Sequence, residues 1–383
     1  MFRSFVLGGF DCTVGRNAHG ELIDHTVATG HSRRLDEDYR LLKALGIRAV
    51  RDGMPWPAIE TRPGVYDWSR LDRIAEAGDR HGIEIVYDLC HFGYPEHLDV
   101  FGDDFVRAFA AYCYAAAERL RKKSVGARYF TPLNEPSYFA WAAGDAARFY
   151  PHRTGVSHEL KIQFVRAILA GTDAIFAALP NAVMVNADPM CRTVAPRARP
   201  DLDAAAETFN ACAVMESWDM LSGKLYPELG GSRAYLGILG VNYYWTNQWE
   251  LGDAEVPLAD DDERVWSLSR LVQTVWERYH APIVISETSH IGDARAGWVR
   301  RLAHEAKAML AADIPLHGVC LYPVLGMPAW HARTQWLRMG LWDVGAGPSQ
   351  KRTAYEPMLA ALAELRDVRP TRPAFDRHER AVG

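Results

Sequence analysis

Hydrophobic and polar positions follow a repeating order along this chain: a short apolar run, a loop of polar and aromatic residues, then a longer amphipathic stretch. Residues 103–123 show the amphipathic part clearly, with acidic residues at the start and basic residues at the end. Five apolar residues recur there at three- and four-residue steps: Phe105, Phe109, Tyr112, Ala116 and Leu120. This spacing predicts one helix with an apolar face, and the end charges match the helix dipole.

The apolar runs predict eight strands, each followed by a helix. The strands cover residues 5–10, 47–51, 83–90, 127–130, 182–187, 235–244, 282–288 and 316–322. The helices cover residues 35–45, 71–81, 103–123, 160–179, 204–221, 265–279, 294–312 and 355–365. Eight uninterrupted strand–helix units predict the α/β class and a single closed (β/α)8 barrel, the TIM barrel. We expect one catalytic domain over residues 1–383, with 368–383 as a surface tail.

Two of the predicted strands end in a glutamate. Strand four runs into TPLNEP (131–136), which contains Glu135, and strand seven ends at Glu287. A buried, ionised carboxylate costs several kcal/mol unless it is neutralised, hydrogen-bonded or used in chemistry. For Glu135 alone, an exposed loop position is the alternative. Because a barrel gathers its strand ends at one face, the pair predicts the two carboxyl groups that glycoside hydrolysis requires.

Three further polar residues fall at predicted strand ends. Arg51 ends strand two, His91 follows strand three and Tyr244 ends strand six. Chemistry in a (β/α)8 barrel lies at these ends, so all three are candidate site residues. Each has a structural alternative: an ion-pair partner for Arg51, a rim histidine for His91 and a packing residue for Tyr244.

Composition narrows the possible partners. A net charge of −5 argues against nucleic acid and anionic membranes, and no apolar run approaches the roughly 20 residues of a membrane span. The six cysteines are scattered and the first residues show no leader pattern, so we expect a cytoplasmic, thiol-reduced protein. There is no HExxH motif and no phosphate-binding glycine loop, so we expect no metal and no cofactor. The twelve tryptophans suit sugar platforms or core packing equally, and Trp56, Trp141 and Trp330 are candidates for either.

Together these motifs resemble those of the family 1 glycoside hydrolases, within the clan of (β/α)8 retaining glycosidases. The match runs from Phe5 to about Val344 and includes TPLNEP (131–136), VISET (284–288), HFGYP (91–95) and NYY (242–244). The resemblance implies that Glu287 is the nucleophile and that Glu135 is the acid/base. It also implies that Asn134 binds the 2-hydroxyl of the sugar.

The resemblance implies roles for four further residues. Arg51 is similar to the strand-two arginine that holds the nucleophile, and Tyr244 to the tyrosine that hydrogen-bonds it. His91 is similar to the sugar-binding histidine of the family, and Trp330 to its last tryptophan. The implied function is a retaining β-glycosidase that hydrolyses a small β-glycoside or an oligosaccharide end through a covalent glycosyl-enzyme. Two alternatives stay open: a transglycosidase that uses the same carboxylates, and a carbohydrate-binding barrel without turnover.

Several positions depart from the family pattern. Thr288-Ser289-His290 replaces the usual nucleophile-Asn-Gly continuation, and Asp11-Cys12-Thr13 contains no strand-one glutamine. Ala329 stands where the family has a glutamate that binds the distal hydroxyls of the sugar. The serine–lysine–tyrosine set of the phosphoglycosidases is also absent. We therefore expect the chemistry to be kept and the sugar recognition to be different, with weak activity on simple glucosides and galactosides.

Overall fold

The computed structural model describes residues 1–124, 126–252, 256–345 and 349–368. Eight parallel strands close into a barrel in the order β1-β8-β7-β6-β5-β4-β3-β2. They are β1 (Val6–Gly9), β2 (Ala49–Gly53), β3 (Glu84–Asp88), β4 (Tyr129–Thr131), β5 (Val183–Pro189), β6 (Ile238–Asn242), β7 (Ile283–Thr288) and β8 (Leu316–Leu321). The predicted (β/α)8 barrel is confirmed.

A helix follows each barrel strand. The helices are α1 (His31–Ala44), α2 (Ser69–His81), α3 (Asp103–Lys123), α4 (Ser157–Ala178), α5 (Glu216–Leu221), α6 (Leu268–Tyr279), α7 (Arg295–Ala311) and α8 (Glu356–Arg366). Their apolar faces pack on the barrel and on one another, so that a continuous core lies between strands and helices. Among the described helices, none is long and apolar enough to cross a membrane.

Shorter elements fill the connections. The short helices are His25–Ala28, Trp56–Ile59, Pro136–Gly144 and Asp203–Thr208, with a π-helical turn at Phe209–Ala213 and 3-10 turns at Pro200–Leu202, Pro227–Leu229, Arg233–Tyr235 and Gly292–Ala294. The antiparallel hairpins are Val14–Arg16 with Leu22–Asp24, Glu60–Arg62 with Val65–Tyr66, Met327–Ala329 with Ala332–Leu337, and Trp342–Val344 with Arg352–Ala354. Arg192–Val194 pairs in parallel with Gln248–Glu250.

A second core fills the barrel interior. It contains Phe2, Leu7, Ala49, Val86, Tyr129, Val185, Ile238, Val284, Cys320 and Tyr322. The first strand closes the barrel by pairing with β8 and β2, where Leu7 lies beside Cys320 and Gly9 beside Arg51. Because all eight strands are parallel, their carboxyl ends meet at one mouth above this core.

The fifth unit differs from the prediction of one helix over 204–221. Two short helices stand there, separated by the π-helical turn Phe209–Ala213. Within this turn the side chain of Asn210 bonds both backbone groups of Thr193, at 2.8 and 2.9 Å. These bonds tie the turn to the strand Arg192–Val194, at the point where the regular helix is interrupted. Of the expected tail 368–383, only Val368 lies within the described residues, and it is buried.

Candidate active site

Asn134 and Glu135 are held by the strands on either side of β4. The Asn134 N–H donates to the Cys90 carbonyl beyond β3, at 2.8 Å, and the Glu135 N–H donates to the Ala187 carbonyl in β5, at 2.9 Å. Glu135 has a left-handed backbone, with φ of 48°, and Pro136 then starts a helix. A left-handed non-glycine residue costs of order 1–3 kcal/mol, and such residues cluster at functional sites.

Arg51 connects three strand ends. It lies in β2 and is 2% exposed, with its side chain inside the barrel mouth. One guanidinium nitrogen donates to Glu287, and the other donates to Asp88 and to the side-chain oxygen of Asn134, each at 2.6 Å. Burial lowers the pKa of Arg51, but the charges of Asp88 and Glu287 raise it more. The guanidinium therefore stays charged and fixes the positions of Glu287 and Asn134.

Glu287 accepts a hydrogen bond at each carboxylate oxygen. Arg51 donates to Oε1, and the Tyr244 hydroxyl donates to Oε2 at 2.8 Å. Burial and the negative charge of Glu287 raise the pKa of Tyr244 well above its ordinary value, so the hydroxyl keeps its proton. Glu287 thus accepts from a cation at one oxygen and from a neutral hydroxyl at the other, which fixes the orientation of its carboxyl group.

Glu135 has a different environment. Its Oε1 accepts from the side-chain amide of Asn242 at 2.7 Å, and Ser286 orients that amide by donating to the Asn242 oxygen at 2.6 Å. Burial and the charge of Glu287 raise the pKa of Glu135 well above its ordinary value. The site therefore contains one carboxyl group bound by a cation and a hydroxyl, and one that is bound by an amide and keeps its proton.

His91 completes the cluster on the β3 side. Its Nδ1 lies 2.8 Å from Asp88 Oδ2, and its Nε2 lies 3.4 Å from both Asn134 Nδ2 and the Tyr322 hydroxyl. Burial lowers the pKa of His91, while the Asp88 carboxylate raises it more. Since the two contacts of Nε2 are long, this nitrogen is the ring atom best placed for a ligand. We call Arg51, Asp88, His91, Asn134 and Glu287 the mouth cluster.

Trp330 lies at the edge of the mouth beside Asp11. Its indole N–H donates to Asp11 Oδ2 at 3.4 Å. The other oxygen, Oδ1, accepts from the Thr13 N–H at 2.9 Å and lies 3.0 Å from His25 Nδ1, out of line for a hydrogen bond. Burial raises the pKa of Asp11, but the nearby His25 lowers it more, to below its ordinary value. An ionised carboxylate therefore borders the site near the position where a family glutamine is missing.

The other two candidate tryptophans lie elsewhere. Trp56 is fully buried among the aromatic rings of Phe105, Phe109 and Tyr112, and its indole N–H donates to Glu60. Trp56 therefore belongs to the core rather than to a sugar platform. Trp141 is half-buried, and the Arg148 guanidinium lies 4.7 Å from its ring centre.

The structure thus brings together seven of the predicted site residues, whereas the candidates Trp56 and Trp141 lie elsewhere. Glu135, Glu287, Arg51, Asn134 and Tyr244 share direct hydrogen bonds or a common partner, His91 joins them through Asp88, and Trp330 lies at the rim. Sequence reasoning missed four contributors: Asp11, Asp88, Asn242 and Tyr322. Each stands at a predicted strand end, and that position was the available signal.

One group of potential metal ligands occurs among the described residues: Cys12, Asp88 and His91. Burial and the charge of Asp88 raise the pKa of the Cys12 thiol, which opposes the thiolate that a metal needs. Asp88 Oδ2 is already shared by Arg51 and His91, and the adjacent guanidinium repels a cation. These residues do not fit a metal ion, and the absence of a metal stays a prediction.

Comparisons with known proteins relate the chain to glycosidases. A family 42 glycosyl hydrolase model, described as beta-galactosidase, matches residues 26–95. The thermostable beta-glucosidase B of Thermobispora bispora is 27% identical over 272 residues, which are 61% of this chain and 53% of that protein. The matched region therefore spans about half the length of this relative.

Solved structures share the fold over nearly the whole chain. A family 1 beta-glucosidase from Thermotoga maritima superposes with a TM-score of 0.77 at 15% identity, covering 96% of this chain and 98% of that one. The AHE enzyme from Alicyclobacillus herbarius gives a TM-score of 0.76 at 21% identity, covering 95% and 99%.

Proposed function

We propose, on the premise that this chain is a glycosyl hydrolase-like protein with the (β/α)8 glycosidase fold, that it is a retaining β-glycosidase. Its substrate would be a small β-glycoside or an oligosaccharide end, cleaved without a cofactor. The observation that carries the proposal is the unequal environment of the two carboxyl groups. Glu287 accepts from a cation and a hydroxyl, whereas Glu135 accepts from an amide and keeps its proton.

In the first step, Glu287 attacks the anomeric carbon and the leaving oxygen takes the proton of Glu135. The carbon–oxygen bond to the leaving group breaks as the bond to Glu287 forms. Asn134 is fixed by Arg51, so its amide nitrogen is available to the 2-hydroxyl of the sugar. Because the transition state is oxocarbenium-like, that contact strengthens as positive charge develops on the ring.

In the second step, Glu135 acts as the base. Formation of the glycosyl-enzyme consumes the charge of Glu287, which had raised the pKa of Glu135. The Glu135 pKa then falls, and the carboxylate can take a proton from the attacking water. Attack from the same face restores the β configuration and frees Glu287.

The role assignment is tested by azide, a nucleophile that needs no general base. Glu135→Gln should form the glycosyl-enzyme from a dinitrophenyl β-glycoside and then stall, and azide should restore turnover as the β-glycosyl azide. Glu287→Gly should instead yield the α-azide. Wild-type enzyme with the same azide concentration is the control. Azides of the opposite configuration from the two variants would show that the roles are reversed.

We also propose that sugar recognition differs from that of ordinary glucosidases. Ala329 provides no carboxylate, whereas Asp11 places a carboxylate at this rim, in contact with Trp330. Asp11 is positioned to accept hydrogen bonds from sugar hydroxyls. A panel of aryl β-glycosides tests this: an unsubstituted glucoside turned over with a kcat/KM of about 10⁴ M⁻¹s⁻¹ or more would contradict it.

A further inference from the structure

Asp188, at the end of β5, is a buried carboxyl group to which the proposed steps assign no role. It is 0% exposed. Its Oδ1 accepts from the Ser137 N–H at 3.1 Å, and its Oδ2 accepts from the Ser137 hydroxyl at 2.6 Å and from the Ser217 hydroxyl. These three donors, from the described part of the chain, are an amide and two hydroxyls. Asp188 is thus buried and well bonded without a cation in contact.

These contacts hold the turn that carries Glu135. Ser137 lies two residues after Glu135, and the Glu135 N–H donates to Ala187, the residue before Asp188. Two consecutive residues of β5 therefore bind the backbone on both sides of the Glu135–Pro136 junction. Because Glu135 has a left-handed backbone, the turn needs outside support, and β5 supplies it.

The charge of Asp188 also acts on Glu135. Burial raises the pKa of Asp188 to about 6, although the Ser137 and Ser217 hydroxyls and the more distant Lys161 lower it. Lys161 itself donates to Glu216. Among the charged groups that act most strongly on Glu135, Glu287 and Asp188 raise its pKa and Arg51 lowers it; the neutral Tyr244 and Cys191 also interact with it. Above about pH 6, Asp188 is therefore a second negative charge beside the general acid.

We propose that Asp188 is a positioning residue for Glu135, which it serves by fixing the Glu135 turn through Ser137 and by holding the proton on Glu135 with its own negative charge. This inference rests on the proposed role of Glu135 as general acid. Asp188 is then a third carboxyl group, after Glu135 and Glu287, that determines where the proton is held in the site. In the described part of the chain, the hydrogen-bond donors of Asp188 are Ser137 and Ser217, so it acts on Glu135 through the turn and through its charge.

The pH profile tests the charge effect. Asp188→Asn keeps the size and polarity of the side chain but removes its charge, so the alkaline limb of kcat/KM should move to lower pH by about one unit. Asp173→Asn removes the same charge from an exposed position on α4 and should leave the limb in place. A lower kcat/KM with an unmoved alkaline limb would overturn the proposal, because a purely structural role predicts that result.

A second measurement does not need turnover. In protein labelled with ¹³C at the glutamate carboxyl groups, the Glu135 signal is assigned by its loss in Glu135→Gln. Its midpoint should fall by about one pH unit in Asp188→Asn. If Asp188→Asn does not fold, Ser217→Ala removes one donor to the ionised Asp188 and should give a smaller shift in the same direction. An unchanged midpoint would overturn the proposal, whereas a shifted midpoint without glycoside turnover would contradict only the proposed function.

Discussion

Arg51 and Asp52 are neighbours in β2, yet they belong to two separate buried ion clusters. Arg51 lies in the mouth cluster inside the barrel, and Asp52 faces the layer between barrel and helices. The second cluster, which we call the outer cluster, consists of His31, Asp38, Tyr39, Asp52 and Arg352. Successive side chains of a strand point to opposite faces, so one strand supplies both clusters.

The outer cluster closes on itself. His31 lies between Asp38 and Asp52, at 2.8 and 2.9 Å, and stacks on Phe10 with ring centres 3.8 Å apart. Arg352 binds both oxygens of Asp38, each at 2.7 Å. Two cations balance two carboxylates there, with most polar atoms bonded to one another, which is the arrangement of a structural network.

The mouth cluster is left incomplete by comparison. Within the described part of the chain, Arg51 Nε and Asp88 Oδ1 have no hydrogen-bond partner, and His91 Nε2 has only contacts of 3.4 Å. Buried polar atoms without partners cost free energy, so they persist where something other than stability selects them. Both clusters are buried and charged, so the difference between these two lies in the unfinished hydrogen bonding of the mouth cluster.

The largest effect should come from Arg51→Lys. One ammonium group cannot bridge Glu287, Asp88 and Asn134 as the planar guanidinium does. We expect kcat/KM on an activated aryl β-glycoside to fall by about 10³-fold, the equivalent of about 4 kcal/mol. Arg107→Lys, on the exposed surface of α3, is the matched control. A loss smaller than tenfold would show that the mouth cluster tolerates rearrangement.

The outer cluster should affect the free energy of unfolding rather than the activity. Burial lowers the pKa of His31, but Asp52 and Asp38 raise it more, to about 9 from its ordinary 6.5. The pKa of His31 is higher in the folded than in the unfolded protein, so the charged His31 stabilises the fold. This stabilisation is complete below about pH 6.5 and is lost as pH rises through about 9. The loss should reach about 3 kcal/mol.

Urea unfolding at pH 6 and pH 9.5 measures this loss. The difference between the two pH values should be smaller in His31→Gln by the stated amount, with kcat nearly unchanged at pH 6. Equal pH dependence in wild type and variant would mean that His31 is not charged in the folded protein.

A smaller effect should follow Asp11→Asn. The amide keeps the shape of the side chain but removes a charged acceptor, and hydrogen bonds to charged groups contribute about 1.5–3 kcal/mol. We expect KM to rise at least about tenfold, with kcat changed less. The readout is a full kinetic curve on the best glycoside of the panel. A fall in kcat at constant KM would place Asp11 with the mouth cluster instead.

The smallest effect should come from Ser286→Ala. Its hydroxyl orients the Asn242 amide toward Glu135, and one such bond is worth about 1 kcal/mol, or roughly fivefold in rate. The loss should be larger for a sugar leaving group than for dinitrophenol, which needs little protonation. An equal loss for both leaving groups would mean that Asn242 does not act through Glu135.

The fold could be predicted from the sequence because apolar periodicity is a local property that each strand and helix carries. The glutamates and Arg51 could be placed because parallel strands all end at one mouth. Asp88 and Asn242 could not be assigned roles, since each has a partner on a distant strand: Arg51 for Asp88 and Glu135 for Asn242. The break at Asn210 was missed because it depends on a contact with Thr193, outside the helix. The roles of Glu135, Glu287 and Arg51 in the reaction stay predictions.

The pairing of β1 with β8, which closes the barrel, has a consequence for synthesis of the protein. Arg51 and Glu287 are 236 positions apart, and Asp11 and Trp330 are 319 apart. During synthesis, Arg51 and Asp88 are translated long before Glu287, which is a partner of Arg51. In the proposed function, sugar binding that uses Trp330 requires that β8, which precedes Trp330 in the chain, has joined β1. Under that proposal, ligand binding reports completed assembly of the chain and can serve as a direct assay for it.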